Sequence, residues 1–155
     1  MKFPEVAGAN LAGNRYNLPA DFEGEVNLVL IPFQREQQDD VDTWAAFVGR
    51  LVESYGPFLH YYELPTISQR YGIFAGFIDG GMRAGIPDPV ARATTLTLYL
   101  DKRAFRRALE LPNEQTIYAL LVDRRGQVLW RADGKFTTTK GAEVEQIVRH
   151  LYGTQ

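Results

Sequence analysis

Cysteine is absent from this chain of 155 residues, and that absence excludes more chemistry than any other feature of its composition. Without a thiol the chain cannot form a disulfide, perform thiol catalysis, or hold a metal or an iron–sulfur cluster through thiolates. A cysteine-free chain is stable in reducing and in oxidising surroundings, so the absence does not fix a compartment. Thiol peroxidase and disulfide exchange activities are therefore excluded.

A strong charge of either sign and a long apolar run are also missing. The net charge of −2 gives no global reason to expect nucleic acid or an anionic membrane as a partner. No run approaches the roughly 18 apolar residues of a transmembrane helix. The segment Met1–Glu5 shows no basic stretch leading into an apolar one, so no signal peptide is expected. We expect a soluble, cytoplasmic protein with one domain over residues 1–155.

The sequence does contain a clear strand-to-helix junction. Asn27–Phe33 is almost wholly apolar, which predicts a strand buried on both faces. After a polar turn at Gln34–Gln38, apolar residues recur at three- and four-residue spacing and predict a helix from Asp40 to about Tyr55. Asp39 or Asp40 is the expected N-cap, because short acidic side chains accept the free backbone N–H groups of a first turn.

Strand and helix patterns alternate along the rest of the chain. They predict a hairpin or edge pair over Leu11–Leu18, strands over Phe58–Leu64, Thr94–Leu100, Thr116–Val122 and Gln127–Arg131, and helices over Asp101–Leu111 and Ala142–Tyr152. A tight turn at Asp123–Gly126 joins the last two strands. This order predicts an α/β fold with a central mixed sheet, helices on both faces, and a C-terminal hairpin followed by a helix.

The segment Tyr71–Ile86 is the candidate partner-binding surface. Glycines recur there every fourth residue at Gly72, Gly76 and Gly80, and each glycine inside a helix costs about 1 kcal/mol relative to alanine. Such spacing needs a close contact, either with the rest of the fold or with a partner. The apolar and aromatic residues proposed to meet a partner or a membrane surface are Tyr71, Phe74, Phe77 and Ile78.

Acidic residues near the strand-to-helix junction permit a second interpretation. Glu36, Asp39, Asp40 and Asp42 could supply hard oxygen ligands to a divalent cation. We favour an N-cap and first-turn role for them, because acidic residues are common where the helix dipole is positive. No metal or cofactor is therefore assigned.

Histidines and basic residues give weaker signals. His60 falls in a predicted strand and His150 in the last turn of a helix, and no pattern ties them into a catalytic triad. Basic residues on a predicted helix and on the hairpin turn could meet phosphate or an acidic partner, although we favour a solvated face; they are Lys102, Arg103, Arg106, Arg107, Arg124 and Arg125. No aromatic platform of a nucleic-acid binder accompanies them.

The order of elements resembles the thioredoxin-like fold of peroxiredoxins and their relatives. That family carries its redox cysteine at the start of the first main helix, which here reads Glu36–Val41, and a cis-proline before the strand matching Thr116–Val122. The corresponding positions Asn113–Gln115 hold no proline. The resemblance therefore implies a three-layer thioredoxin-like sandwich without the family's redox function.

A closer resemblance covers most of the chain. Phe3-Pro4, Leu11 with Gly13, Trp44 with Phe47, and the hairpin Tyr118–Trp130 are similar to the mitochondrial ATP synthase assembly factor family. That family has a cysteine-poor thioredoxin-like domain and helps to install the membrane sector of the synthase, without known catalysis. This chain departs from it in lacking a transit peptide and in reading Val-Leu-Trp-Arg over Val128–Arg131.

We therefore hypothesise a non-redox thioredoxin-like protein that acts by binding, in the assembly or chaperoning of a protein complex. Its partner would be a protein client or a second copy, met by the Tyr71–Ile86 segment and by Gln34 and Arg35 at the rim. The alternative is a cysteine-independent, metal-dependent enzyme that uses the acidic cluster at Glu36–Asp42.

Overall fold

The computed structural model describes residues 1–74, 78, 80–82 and 94–155. Strands and helices alternate through most of this part of the chain. The strands are β1 (Val6–Asn10), β2 (Arg15–Leu18), β3 (Val26–Ile31), β4 (Leu59–Glu63), β5 (Thr66–Ser68), β6 (Leu96–Leu100), β7 (Tyr118–Asp123) and β8 (Val128–Asp133). The helices are α1 (Gln38–Asp42), α2 (Ala45–Tyr55), α3 (Lys102–Ala108) and α4 (Thr138–Gly153), and 3-10 turns span Arg35–Gln37 and Gln69–Phe74.

The central sheet has the order β4-β3-β7-β8. Strand β3 runs parallel to β4 and antiparallel to β7, so Val29 lies opposite Tyr62 on one side and Leu120 on the other. Every residue of β3 is buried, as its apolar sequence predicts. The sheet is therefore mixed and includes the antiparallel hairpin β7–β8, which confirms the predicted mixed sheet and C-terminal hairpin.

A second sheet, with the order β2-β1-β6-β5, continues beside the first. An N-terminal hairpin is present as β1 and β2, with Gly13 in the turn at φ +94°, but its first strand lies before the predicted range Leu11–Leu18. An isolated bridge between Glu63 and Thr95 links the end of β4 to the start of β6. The second sheet therefore meets the first beside Glu63.

Apolar side chains on the two faces of β3 enter two different cores. Leu28 and Leu30 pack with α2 and α4 residues, including Phe47 and Val148. Val29 and Ile31 pack on the opposite face in a cluster that includes Phe105 and Leu109 from the α3 region. Helices thus cover both faces of the central sheet, which is the three-layer arrangement predicted from the sequence.

The predicted helix from Asp40 to Tyr55 is in fact two helices, and the prediction of an aspartate N-cap is wrong. Helix α1 has Gln37 as its N-cap, and Asp39 and Asp40 lie in its first turn. Thr43 and Trp44 lie between the two helices, and α2 begins at Ala45. Both residues bond the loop after β8: the Phe136 N–H donates to Thr43 Oγ1 at 2.9 Å, and Trp44 Nε1 donates to the Gly134 carbonyl at 3.2 Å.

Candidate functional site

Gln37 joins the end of β3 to the loop before β7. Its side chain is 6 % exposed. The Oε1 atom accepts the Phe33 N–H at 2.8 Å, and Nε2 donates to the Glu114 carbonyl oxygen at 2.8 Å. Gln34 Nε2 donates to the same oxygen at 2.9 Å. Side-chain amides thus hold together the two segments that, by the resemblance described above, would carry a cysteine and a cis-proline.

The Glu114 side chain fixes the same loop from the other direction. Its two oxygens lie 2.8 Å from Lys102 Nζ and 3.1 Å from Arg106 Nε. Partial burial alone would raise the pKa of this carboxyl, but the hydrogen bonds and positive charges of Lys102 and Arg106 outweigh it and lower the pKa. Helix α3 and the loop before β7 are therefore joined by an ionic contact.

This contact changes the interpretation of the basic residues. Lys102 and Arg106 are engaged by Glu114, and Arg124 pairs with Glu25 at 3.1 Å. Arg103 and Arg107 stay exposed. A continuous phosphate-binding face is therefore not formed by this part of the chain, because half of its cations already have carboxylate partners.

Beside the Gln37 amide lies a cleft of about 770 Å³. The cleft is lined by polar residues, including Gln34, Arg35 and Asp42, and by apolar residues, including Ile67 of β5 and Ile78. The cleft thus lies where β3 ends and β5 continues the sheet. It has the size of an ordinary ligand-binding pocket and combines apolar residues with a few polar groups.

A buried carboxyl lies next to this cleft. Glu63, the last residue of β4, is 8 % exposed. Burial raises the pKa of Glu63 to about 7; a hydrogen bond from Gln38 opposes the rise and the charge of Asp42 adds to it. Burial, with the charges of Glu63 and Asp42, also raises the pKa of Tyr61 well above its ordinary value. Near neutral pH Glu63 is therefore divided between its protonated and ionised forms.

The structure brings together part of the predicted partner-binding set. Gln34, Arg35 and Ile78 all line the cleft, although they are far apart in sequence. Tyr71 is 42 % exposed and is not part of the cleft lining. The side chain of Phe74 and the whole of Phe77 lie outside the described residues, as does most of the segment to Ile86.

The remaining candidates from the sequence are the two histidines and the acidic cluster at Glu36–Asp42. His60 Nδ1 lies 3.5 Å from Glu23, and His150 is exposed in the last turn of α4. Within the described ranges, no group of three or more histidine, aspartate or glutamate side chains is placed to hold a metal ion. The metal-dependent alternative at Glu36–Asp42 thus receives no support from the structure.

Sequence reasoning missed Gln37, Glu114 and Glu63. Gln37 and Glu114 are 77 positions apart, and neither belongs to a recognisable motif. In the sequence Glu63 is one charged residue near the end of a predicted strand, a position where an acidic residue is usually exposed. The short strand β5 was missed as well, because Thr66–Ser68 is too brief to show alternation.

Solved structures with this arrangement define the class of the fold. BsSco, a member of the Sco family of cytochrome c oxidase assembly proteins, is 13 % identical with a TM-score of 0.66, over 99 % of this chain and 95 % of that one. Yeast Sco1 with copper bound is 15 % identical with a TM-score of 0.61, over 97 % and 92 %. The exposed lipoprotein thioredoxin Etrx1 of Streptococcus pneumoniae is 12 % identical with a TM-score of 0.59, over 95 % and 99 %. At these identities the likeness shows the fold alone: this is a thioredoxin-like protein.

The family follows from the sequence. The family model described as ATP10 protein matches residues 1–151, so the chain belongs to the ATP10 family of ATPase assembly factors. No curated protein sequence is significantly similar to this chain. Within the part of the chain that the structure describes, no helix is long and apolar enough to cross a membrane. Membership of the family supports a role in the assembly of a protein complex.

Proposed function

We propose that this protein binds a protein client during the assembly of a complex, and that the client occupies the cleft beside Gln34 and Arg35. No thiol takes part, because the chain has none. The cleft lies where thioredoxin-like relatives keep their reactive groups by the resemblance described above. The proposal thus keeps the location of a thioredoxin-like site and replaces its redox chemistry by binding.

The main support for this proposal is the cleft beside the hydrogen-bonded segment after β3. The segment after β3 is held in place by buried amide hydrogen bonds from Gln37, while the cleft beside it stays open over about 770 Å³. Because these bonds already hold the segment beside the cleft, little of the protein has to become ordered when a client associates. An open, partly apolar space of this kind is suited to binding. Within the described residues no side-chain cluster able to hold a metal ion accompanies the cleft, so the metal-dependent alternative gains no support there.

The Tyr71–Ile86 segment extends the proposed binding surface. Ile78, Gly81 and Met82 line the cleft. Tyr71 offers an exposed aromatic ring with the Arg70 guanidinium 5.1 Å from its centre. Phe74 and Phe77 are proposed to belong to the same surface. Self-association through this surface and a cytoplasmic location remain predictions.

Site-specific photo-crosslinking tests the proposal. A photoreactive amino acid replaces Arg35 in the cleft or, as a control, Arg149 on the exposed surface of α4. We expect one client to crosslink at position 35 in cells and not at position 149. The substitution Gly81→Trp should abolish that crosslink, since Gly81 lines the cleft and a Cβ added there meets no described atom within 4 Å. Equal labelling at both positions, or an unchanged product in the Gly81→Trp background, would overturn the proposal.

A further inference from the structure

The charge distribution around the cleft indicates what kind of client segment fits it, provided that the proposed function holds. Asp42 lines the cleft, and Gln38 Nε2 donates to Asp42 Oδ1 at 3.0 Å. The Gln38 side chain also lowers the pKa of the Glu63 carboxyl against the effect of burial. Two carboxyl groups on different elements thus lie near one neutral amide, and of the two Asp42 lines the open space whereas Glu63 does not.

Neither carboxyl has a cationic partner within the described residues. The ion pairs there involve Glu23, Glu25, Glu114 and Glu145, and none includes Asp42 or Glu63. Buried charges are normally paired with a cation or with several donors. Glu63 instead has the Gln38 amide nearby, and its other polar neighbours are Asp42 of α1, Tyr61 of β4 and the bridged Thr95 just before β6.

Other residues of the cleft lining are apolar, and one of them lies on the outer strand of a sheet. Ile67, Ile78 and Met82 line the space. Strand β5, which contributes Ile67, is the outer strand of the second sheet in the described part of the fold, and its Thr66 N–H donates to the Pro32 carbonyl just after β3 at 3.0 Å. An edge strand offers backbone groups to an added strand, while pockets beside it accept alternate side chains.

We propose that the cleft recognises an extended, mainly apolar segment of the client that carries one lysine or arginine, with the cation placed against Asp42 and Glu63. The apolar side chains contact Ile67, Ile78 and Met82, and the segment runs along the edge of β5. The basic side chain supplies the cation that these carboxyls lack. Because Glu63 is partly protonated near neutral pH, binding is accompanied by release of a proton from its carboxyl.

Selection from a random ten-residue peptide library displayed on phage tests this inference. The targets are the wild-type protein, the blocked variant Gly81→Trp, and the control Gly49→Trp, at a position on α2 away from the cleft where an added Cβ likewise meets no described atom within 4 Å. We expect peptides with one lysine or arginine among apolar residues to be enriched on the wild type and on Gly49→Trp, and to be lost on Gly81→Trp.

An enriched synthetic peptide then tests the carboxyls directly. Replacing its basic residue with norleucine, or changing Asp42→Asn in the protein, should each weaken binding about tenfold, in the range of charge-assisted contacts. Calorimetry at pH 6 in buffers of different ionisation enthalpy should show proton release with the wild type and none with Glu63→Gln. That last result separates a role of Glu63 in recognition from a purely structural one.

Three outcomes would overturn the inference. Cleft-dependent peptides without a basic residue would refute it and leave the proposed client binding intact. Peptides that reproduce a stretch of this chain would indicate a second copy as the occupant. Failure of every peptide to distinguish the wild type from Gly81→Trp would refute both the inference and the assignment of the cleft as a binding site.

Discussion

The side-chain amide of Gln37 donates to the backbone carbonyl of Glu114 at 2.8 Å, across 77 residues of sequence. Its oxygen simultaneously accepts the Phe33 N–H at the end of β3. One buried side chain therefore fixes both segments that flank the position of a thioredoxin-like site. These bonds tie the segment that carries the cleft residues Gln34 and Arg35 to the loop before β7, and their contribution to stability can be measured.

Replacing Gln37 with leucine should destabilise the fold. The change leaves the Phe33 N–H without its acceptor, and the Glu114 carbonyl keeps only the Gln34 donor; an unsatisfied buried group costs about 1–3 kcal/mol. Gln34→Ala is the matched control, because Gln34 is exposed and donates to the same carbonyl. Urea unfolding gives both free energies. A Gln37→Leu loss no larger than that of Gln34→Ala would show that the amide is not structural.

The raised pKa of Glu63 should make the free energy of unfolding fall as pH rises. Its pKa is raised from 4.5 to about 7 in the folded state, so the folded protein binds more protons than the unfolded chain between these values. The stabilisation is complete below the unfolded pKa and is lost as pH rises through about 7, amounting to about 3 kcal/mol. The difference in unfolding free energy between wild type and Glu63→Gln, measured from pH 4 to 8, isolates this effect. A pH-independent difference would contradict the raised pKa.

The lowered pKa of Glu114 should have the opposite effect, so that its contribution to the free energy of unfolding falls as pH falls. Its pKa is lowered in the folded state, so its contribution is present above the unfolded pKa and is lost as pH falls through the folded value. Because the groups are about a quarter exposed, Glu114→Gln should cost only about 1 kcal/mol at pH 7 and less at low pH.

The matched control for that change is Glu145→Gln. Glu145 makes an exposed ion pair with Arg149 on α4, and its loss should have no measurable effect on thermal unfolding. If the two variants unfold alike at pH 7, the contact between α3 and the loop before β7 does not stabilise the fold.

The sequence predicts the architecture well and the site only in part. An apolar run such as Val26–Ile31 determines its structure locally, and so does the turn at Asp123–Gly126. The sequence therefore predicts both elements correctly. The break at Trp44 depends on bonds to the distant loop at Gly134, which no local pattern reveals. Gln34 and Arg35 were placed at the site because they follow a buried strand. Gln37, Glu63 and Glu114 acquire their roles only from tertiary contacts.

Complementation with the blocked cleft tests the central claim most directly. Cells lacking the gene are supplied with the wild type, with Gly81→Trp or with Gly49→Trp at equal protein levels, and the assembled complex that contains the client crosslinked at position 35 is quantified on native gels. We predict that the wild type and Gly49→Trp restore assembly and that Gly81→Trp leaves it at the level of the deletion. Full restoration by a folded Gly81→Trp protein would contradict a role for the cleft in client binding.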